Sequence, residues 1–298
     1  MSEYNRGFAY EEHVGPRLIG RSVLEHLAER YRHSTATEWE QRIRAGEVRL
    51  DGRRASPADR LHAGQRLIWN RPPWREPAVP LGFALLHADA EVLAVAKPRG
   101  LPTMPAGGFL THTLFSEVRR RFPDAAPVHR LGRGTSGVVL FARSAHARRS
   151  VGRAWRVGQV ERIYLGLVQG RLDRGRFAIE LPIGPVPHPR LGTVHGACAS
   201  GRAARTVVRT LRVDDHATLV AVRIDSGRPH QIRIHLAAAG HPLVGEPLYG
   251  CGGVPRPGTR ALPGDGGYLL HAARLVFPHP RSGAMTTIEC APPPALRA

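Results

Sequence analysis

Apolar residues in this chain fall into short runs bounded by glycine, proline and charge, and the runs follow two periods. Residues 92–97 and 137–143 are almost unbroken apolar stretches of strand length, as expected where a strand is covered on both faces. Residues 83–87, 164–169, 207–213 and 219–224 are equally short and rich in branched or aromatic side chains, so they too are predicted strands. Another strand is predicted over 285–290. Helical spacing covers 114–122 and 146–157, and 230–239 can be helical before Gly240 stops it. The 207–224 segment reads as one long hairpin turning at residues 214–217, which argues for an α+β fold with a mixed or antiparallel sheet rather than βαβ winding.

The first quarter of the chain has a different rhythm. Ser22 is placed to cap a helix through Leu24, Leu27 and Ala28, and a second amphipathic stretch covers 38–45 before Gly46. A small hairpin follows, from Val48, Arg49 and Leu50 around Asp51-Gly52 to a strand over 66–69. Residues 71–80 contain four prolines and disfavour both helix and central strand. They mark the linker between a module at 1–75 and a larger domain at 76–298.

Charge narrows the class of partner. The 298 residues carry a formal net charge of +19, and 42% are hydrophobic, enough for a core. Lys97 is the only lysine, so arginine supplies the rest of the cations. Bias toward arginine does not create an excess of cations over anions; that excess implies an anionic partner, with nucleic acid the usual one. No apolar run is long enough to span a bilayer, and residues 1–10 lack the apolar stretch of a signal peptide, so a cytoplasmic location is expected. Cys198, Cys251 and Cys290 form no Cys-x-x-Cys pair. The histidines lack the His-x-x-x-His spacing beside a carboxylate that zinc hydrolases use, so no metal is expected.

The chemistry-bearing segments fall in four blocks. Residues 129–137 read His-Arg-Leu-Gly-Arg-Gly-Thr-Ser-Gly and run into the apolar strand at Val138. Lys97-Pro98-Arg99-Gly100 precedes this loop, Arg162-Ile163-Tyr164 follows it, and Gly227-Arg228-Pro229-His230-Gln231-Ile232-Arg233 comes later, with a tail through Gly245, Tyr249 and Gly250. In type and order these blocks resemble the RluA-like family of RNA pseudouridine synthases, and the closing segment from His271 through Arg274 to Pro280 resembles that family's ending. The resemblance implies the pseudouridine synthase fold for 76–298 and no cofactor. Arg44 to Gly52, with the helices and hairpin around it, is similar to the alpha-L RNA-binding module appended to many such enzymes, which gives the 1–75 segment its expected role.

One position departs from the pattern. Where the family has the aspartate that attacks its substrate, this chain has Gly132. Breaking the N1–C1′ bond of uridine and forming a C5–C1′ bond calls for a nucleophile or base beside an electron-poor sugar, work that carboxylates do at glycosidic bonds. Glycine can do neither. By carry-over, Tyr164 stacks on the flipped uracil and serves as a proton acceptor, and Arg233 pairs with the aspartate missing here. An unpaired buried cation is costly, so Arg233 requires another anion, a phosphate or solvent. Lys97, a compact ammonium where a fork does not fit, is expected to line or support the site and is counted among the residues that contact RNA. His129, Arg130, Arg133, Thr135, Arg228, His230 and Gln231 are expected to hold RNA or shape the pocket, and Arg42, Arg44, Arg49 and Arg53 of the module to lie along an RNA backbone.

Two readings follow. In the first the chain is an isomerase acting on uridine in ribosomal or transfer RNA, with Glu246, Asp225 or Asp124 standing in for the aspartate. In the second it is an inactive relative that binds RNA and acts in RNA folding or ribosome assembly. A glycosidase acting on free sugars is disfavoured, since no paired carboxylates stand out in the sequence.

Overall fold

The computed structural model describes residues 4–297; Met1, Ser2 and Glu3 of the expected module, and Ala298, lie outside the described residues. The chain divides into two compact units, 4–76 with 190–192, and 77–189 with 193–297.

The first unit contains β1 (Phe8–His13), α1 (Val23–Arg30), α2 (Ala36–Arg44), β2 (Val48–Leu50), β3 (Arg53–Arg54) and β4 (Arg66–Arg71). Both helices begin with capping boxes, Ser22 with Glu25 and Thr35 with Glu38, which satisfy the free amides of the first turn. The hairpin turns where expected, with Asp51 and Gly52 both at positive φ. Strand order is β1-β4-β2-β3, and Leu27, Trp39, Ile43, Leu50, Leu67 and Trp69 fill the core. Strand β1 was not predicted. Its sequence, Phe-Ala-Tyr-Glu-Glu-His, is polar because it is an exposed edge strand, held by backbone pairing to β4 rather than by burial.

The second unit is α+β. Its elements are β5 (Ala84–Ala88), β6 (Val92–Lys97), α3 (Leu114–Arg121), β7 (Ala126–Pro127), β8 (Thr135–Ala142), α4 (Ala145–Arg156), β9 (Glu161–Gln169), β10 (Arg176–Glu180), β11 (Ile183–His188), β12 (Gly192–Ala197), β13 (Arg205–Val213), β14 (Ala217–Ile224), α5 (Gln231–Ala238), β15 (Leu270–Pro278) and β16 (Met285–Glu289). Every strand and helix predicted after the linker is present within one or two residues at most ends. The main sheet runs β10-β13-β14-β9-β15-β8-β6-β5, with β16 on β15 and β7 on β8. All of its pairings are antiparallel except β15 with β8, and that exception positions the site.

Leu270 pairs with Thr135 and Ala272 with Gly137 in parallel register, while Ala272 also lies opposite Tyr164 of β9. Gly137, Ala272 and Tyr164 therefore form one row across three strands. Because β8 and β15 run the same way, the segments that feed them enter from the same end of the sheet. The loop at 129–134 and the loop at 262–269 are thus laid side by side. Gly137, at φ +110°, allows the closest approach in this row.

Candidate active site

The loop at 131–134 is held from beneath by the Lys-Pro block. Lys97 is 1% exposed, and its ammonium donates to the carbonyls of Pro98, Leu101 and Arg133 at 2.9, 2.6 and 3.3 Å. Gly100 N–H donates to the same Arg133 carbonyl at 2.8 Å. Thr103 Oγ1 donates to the Leu131 carbonyl and accepts from the Leu131 amide, 2.9 and 3.2 Å. These bonds fix the backbone on both sides of Gly132. Lys97 supports the site from inside, and its burial corrects its assignment to RNA contact. Burial pushes its ammonium down to about 7.

That shift has a testable sign. The folded chain gives up the Lys97 proton near pH 7, whereas an unfolded lysine keeps it to about 10.4. Between those limits the unfolded state binds more protons, so Lys97 makes stability rise with pH, by on the order of 1 kcal/mol per unit, and the rise is absent below about 7. Lys97→Met is expected to remove it. Urea midpoints at pH 7 and pH 9.5 should show the wild type gaining on the variant as pH rises; an equal difference at both would contradict a neutral buried amine.

From the other side the loop meets Tyr268, which was not singled out in the sequence. A Cβ built on Gly132 stands 2.9 Å from the Tyr268 hydroxyl, and one built on Gly134 stands 2.8 Å from ring carbons of the same tyrosine. The ring lies across both glycines. The hydroxyl is 3.3 Å from Thr135 Oγ1. The signal in the sequence was the pair of glycines around Arg133, two bare positions that leave room for something broad. Arg133 itself donates from Nε to the Gly264 carbonyl at 2.8 Å and approaches Asp265 at 3.6 Å, while Arg99 bonds the Gly267 carbonyl. Both arginines tie the 262–268 loop to the site.

Below Tyr268 lies Arg233 of α5, with its guanidinium 4.2 Å from the Tyr268 ring centroid and 5.1 Å from that of Tyr249. The expected need for an anion is met by Glu246. Arg233 Nε and Nη2 donate to its two carboxylate oxygens at 2.7 and 2.6 Å, and Nη1 donates to the Pro263 carbonyl at 2.9 Å. Both partners are buried. Burial works against the Arg233 charge, but the bonds and charge of Glu246, together with Tyr268 and Tyr249, outweigh it and raise the pKa further. Glu246 Oε1 also accepts the Leu248 and Tyr249 amides, while Oε2 accepts Arg233 Nε, so each oxygen is bonded.

The other two carboxylates considered as stand-ins are placed elsewhere. Asp124 pairs with Arg143 at 3.0 Å, beyond the far end of β8 from Gly132. Eight residues of strand separate those ends by roughly 25 Å. Asp225 pairs with Arg205 at 2.6 Å and with Arg223 at 3.1 Å, beyond the end of β14.

Tyr164 is 8% exposed on β9 and belongs to the same core cluster as Leu131, Ile232 and Tyr268. Burial pushes its phenol up, opposed by Arg162. Several polar residues assigned to RNA are instead consumed internally. His129 Nε2 accepts the Leu140 amide at 3.0 Å, its ring stacks on Trp155, and burial pushes its pKa down to about 3, which leaves a neutral ring with no charge for a phosphate. Gln231, 2% exposed, donates to the Arg205 carbonyl and to Thr206 and accepts from Ser226 and the Arg228 amide. His230 bonds Tyr249, which in turn donates to the His195 carbonyl; burial, with Arg233 close by, takes the His230 pKa to about 3. Thr135 is buried against Tyr268. Arg228 is half-buried and donates to the Ala203 carbonyl at 3.2 Å, whereas Arg130 is exposed.

In the first unit, Arg42 is half-buried, bonded to Ser34 and stacked over Trp39 and Trp69. It braces the core rather than facing a phosphate. Arg44, Arg49, Arg53 and Arg54 are exposed, and β2–β3 pairing sets Arg49 directly opposite Arg54. Like charges placed across a ladder are unfavourable without an anion between them.

Among the described residues no helix is long and apolar enough to cross a membrane, and no group of three His, Cys, Asp or Glu side chains is arranged to hold a metal ion. Residues 91–238 match the family described as RNA pseudouridylate synthase. The chain is 40% identical over 277 residues to an uncharacterised RNA pseudouridine synthase of Synechocystis sp., covering 92% of this chain and 95% of that one. It is 34% identical to RNA pseudouridine synthase 5 of Oryza sativa over 99% of this chain and 89% of the relative. With ribosomal large subunit pseudouridine synthase D of Neisseria meningitidis it shares 32% identity, over 93% and 76% of the two chains. The fold is that of human RNA pseudouridylate synthase domain containing 1, with a TM-score of 0.59 at 24% identity over 74% of this chain and 89% of that one.

Proposed function

The chain belongs to the RluA-like family of RNA pseudouridine synthases, and on that premise we propose that it isomerises uridine to pseudouridine within a ribosomal or transfer RNA in the cytoplasm. The observation that carries this reading is the continuity of the site. The 129–137 loop, Tyr268 and the buried Arg233–Glu246 pair touch one another in sequence, with Tyr164 in the same core cluster. A cation held by three hydrogen bonds below the loop, and four bonds to the loop backbone from Lys97, Gly100 and Thr103, preorganise a place where charge develops. A protein that only bound RNA would have no need of this scaffold.

The test is tritium release from RNA labelled at uridine C5, scored with pseudouridine in the digested product. Release together with pseudouridine supports the isomerase. RNA binding without either supports the second reading, an inactive homologue acting in RNA folding or ribosome assembly; the observation on its side is the Tyr268 hydroxyl standing where the family's carboxylate-bearing residue needs room.

The arginine cluster of the first unit is assigned to the RNA backbone. Converting Arg49, Arg53 and Arg54 together to alanine is expected to weaken RNA binding and to flatten the dependence of log Kd on log salt by about one unit for each phosphate that is no longer neutralised. Filter binding across a salt series measures that slope, and an unchanged slope would free the module of this role.

A further inference from the structure

Building on the isomerase reading above, we propose that the Tyr268 phenol is the catalytic nucleophile of this chain, in the place that a carboxylate on residue 132 would occupy. Three observations lead there. A Cβ on Gly132 meets the Tyr268 oxygen at 2.9 Å and, within 4 Å, otherwise only Thr135 Oγ1 at 3.7 Å. The phenol oxygen and a side chain at 132 therefore compete for one space. Gly132 is exposed and bare, whereas Tyr268 is 2% exposed, so the buried hydroxyl is to be reached past the Gly132 backbone, with no side chain from that position in the way. The ring is held on both faces of the site, by Arg233 at 4.2 Å from its centroid and by Gly134 against its ring carbons.

The carboxylates around the site are already committed. Glu246 spends both oxygens on Arg233 and two amides, and Asp265 accepts the Leu262 amide while facing Arg133. Tyr268 bears the nucleophilic oxygen that touches the loop.

The reaction balances with no other reactant. The phenol oxygen bonds to C1′ as the C1′–N1 bond breaks, and the phenol proton passes to N1 of the departing uracil. The uracil turns, C5 bonds to C1′, and the C1′–O bond to Tyr268 breaks. The released phenolate takes the C5 proton, which restores the phenol and leaves pseudouridine with hydrogen on N1 and none on C5. The Arg233 charge stacked on the ring stabilises the oxygen as it leaves C1′. A tyrosine nucleophile at an anomeric carbon has precedent in glycoside hydrolysis.

The experiment compares wild type, Tyr268→Phe, Gly132→Asp and the double variant in the tritium-release assay on total RNA, with RNA affinity and urea midpoints measured alongside. Tyr268→Phe removes one oxygen and is expected to lower kcat by about 100-fold or more with RNA affinity nearly unchanged. Gly132→Asp alone is expected to lose activity because its Cβ meets the Tyr268 oxygen at 2.9 Å and pushes the phenol from its place. With Tyr268→Phe no other part of the ring lies within 4 Å of that Cβ, so the double variant is expected to regain at least about tenfold over Tyr268→Phe. An active wild type with an equally active Tyr268→Phe overturns this proposal and leaves the isomerase standing. An inactive wild type overturns both.

Discussion

Replacing Glu246 by alanine is expected to cost about 3–5 kcal/mol of folding stability, because it leaves the Arg233 guanidinium buried without its counter-ion. The size follows from what is stranded rather than from what is removed. Arg233 would keep one carbonyl bond, to Pro263, and lose two charge-assisted bonds; the Leu248 and Tyr249 amides would lose their acceptor as well. Glu246→Gln keeps the shape and one acceptor oxygen and should cost less. Removing both charges, with Arg233→Met and Glu246→Leu, should recover part of the loss, since a buried ion pair replaced by apolar groups of similar volume is often close to neutral. Urea titration of the wild type, Arg233→Met, Glu246→Leu and their double variant gives the coupling energy. Additive single losses would show that the pair is not acting as a unit. Isomerase activity should fall in every variant, including the stable double, because Arg233 also supports the Tyr268 ring.

The sheet was legible where burial writes itself into the sequence. Strands β6 and β8 are covered on both faces, and their unbroken apolar runs set their limits. Strands β1, β10, β11 and β12 escaped prediction because exposed residues interrupt them, and two prolines fall within β11; β15 escaped as well, although most of its residues are buried. The site was legible in part for a similar reason. Arg233 sits in a helix with almost every residue buried, so its demand for an anion could be stated from the motif, although its partner lies 13 residues on. Tyr268 could not be read in this way. It reaches Thr135, 133 residues away in the chain, only because β15 pairs in parallel with β8, and no local pattern specifies that pairing. The motif polar residues His129, Gln231 and Thr135 taught the opposite lesson. Sequence marks where hydrogen-bonding groups are needed but not whether they face ligand or scaffold, and here they face scaffold.

Gly137→Ala is expected to abolish the folded second unit, with a loss of at least about 4 kcal/mol. Two costs coincide at this position. Its φ of +110° lies where L side chains are strained, and the added Cβ would stand 2.2 Å from the Ala272 carbonyl oxygen and 2.7 Å from two further backbone atoms of that residue. Backbone atoms in the middle of a paired row cannot swing aside as a side-chain tip can. Relief would require β8 and β15 to separate, and with them the loop, Tyr268 and the row that carries Tyr164. Gly158 supplies the control. Its φ is +76°, yet a Cβ there meets nothing within 4 Å, so Gly158→Ala should cost only the conformational strain, about 1 kcal/mol. Soluble yield and urea midpoint of the two variants separate the costs. If Gly137→Ala proved as mild as Gly158→Ala, the parallel pairing that joins the loop to β15 would be looser than its geometry requires, and the placement of Tyr268 over Gly132 would lose its support.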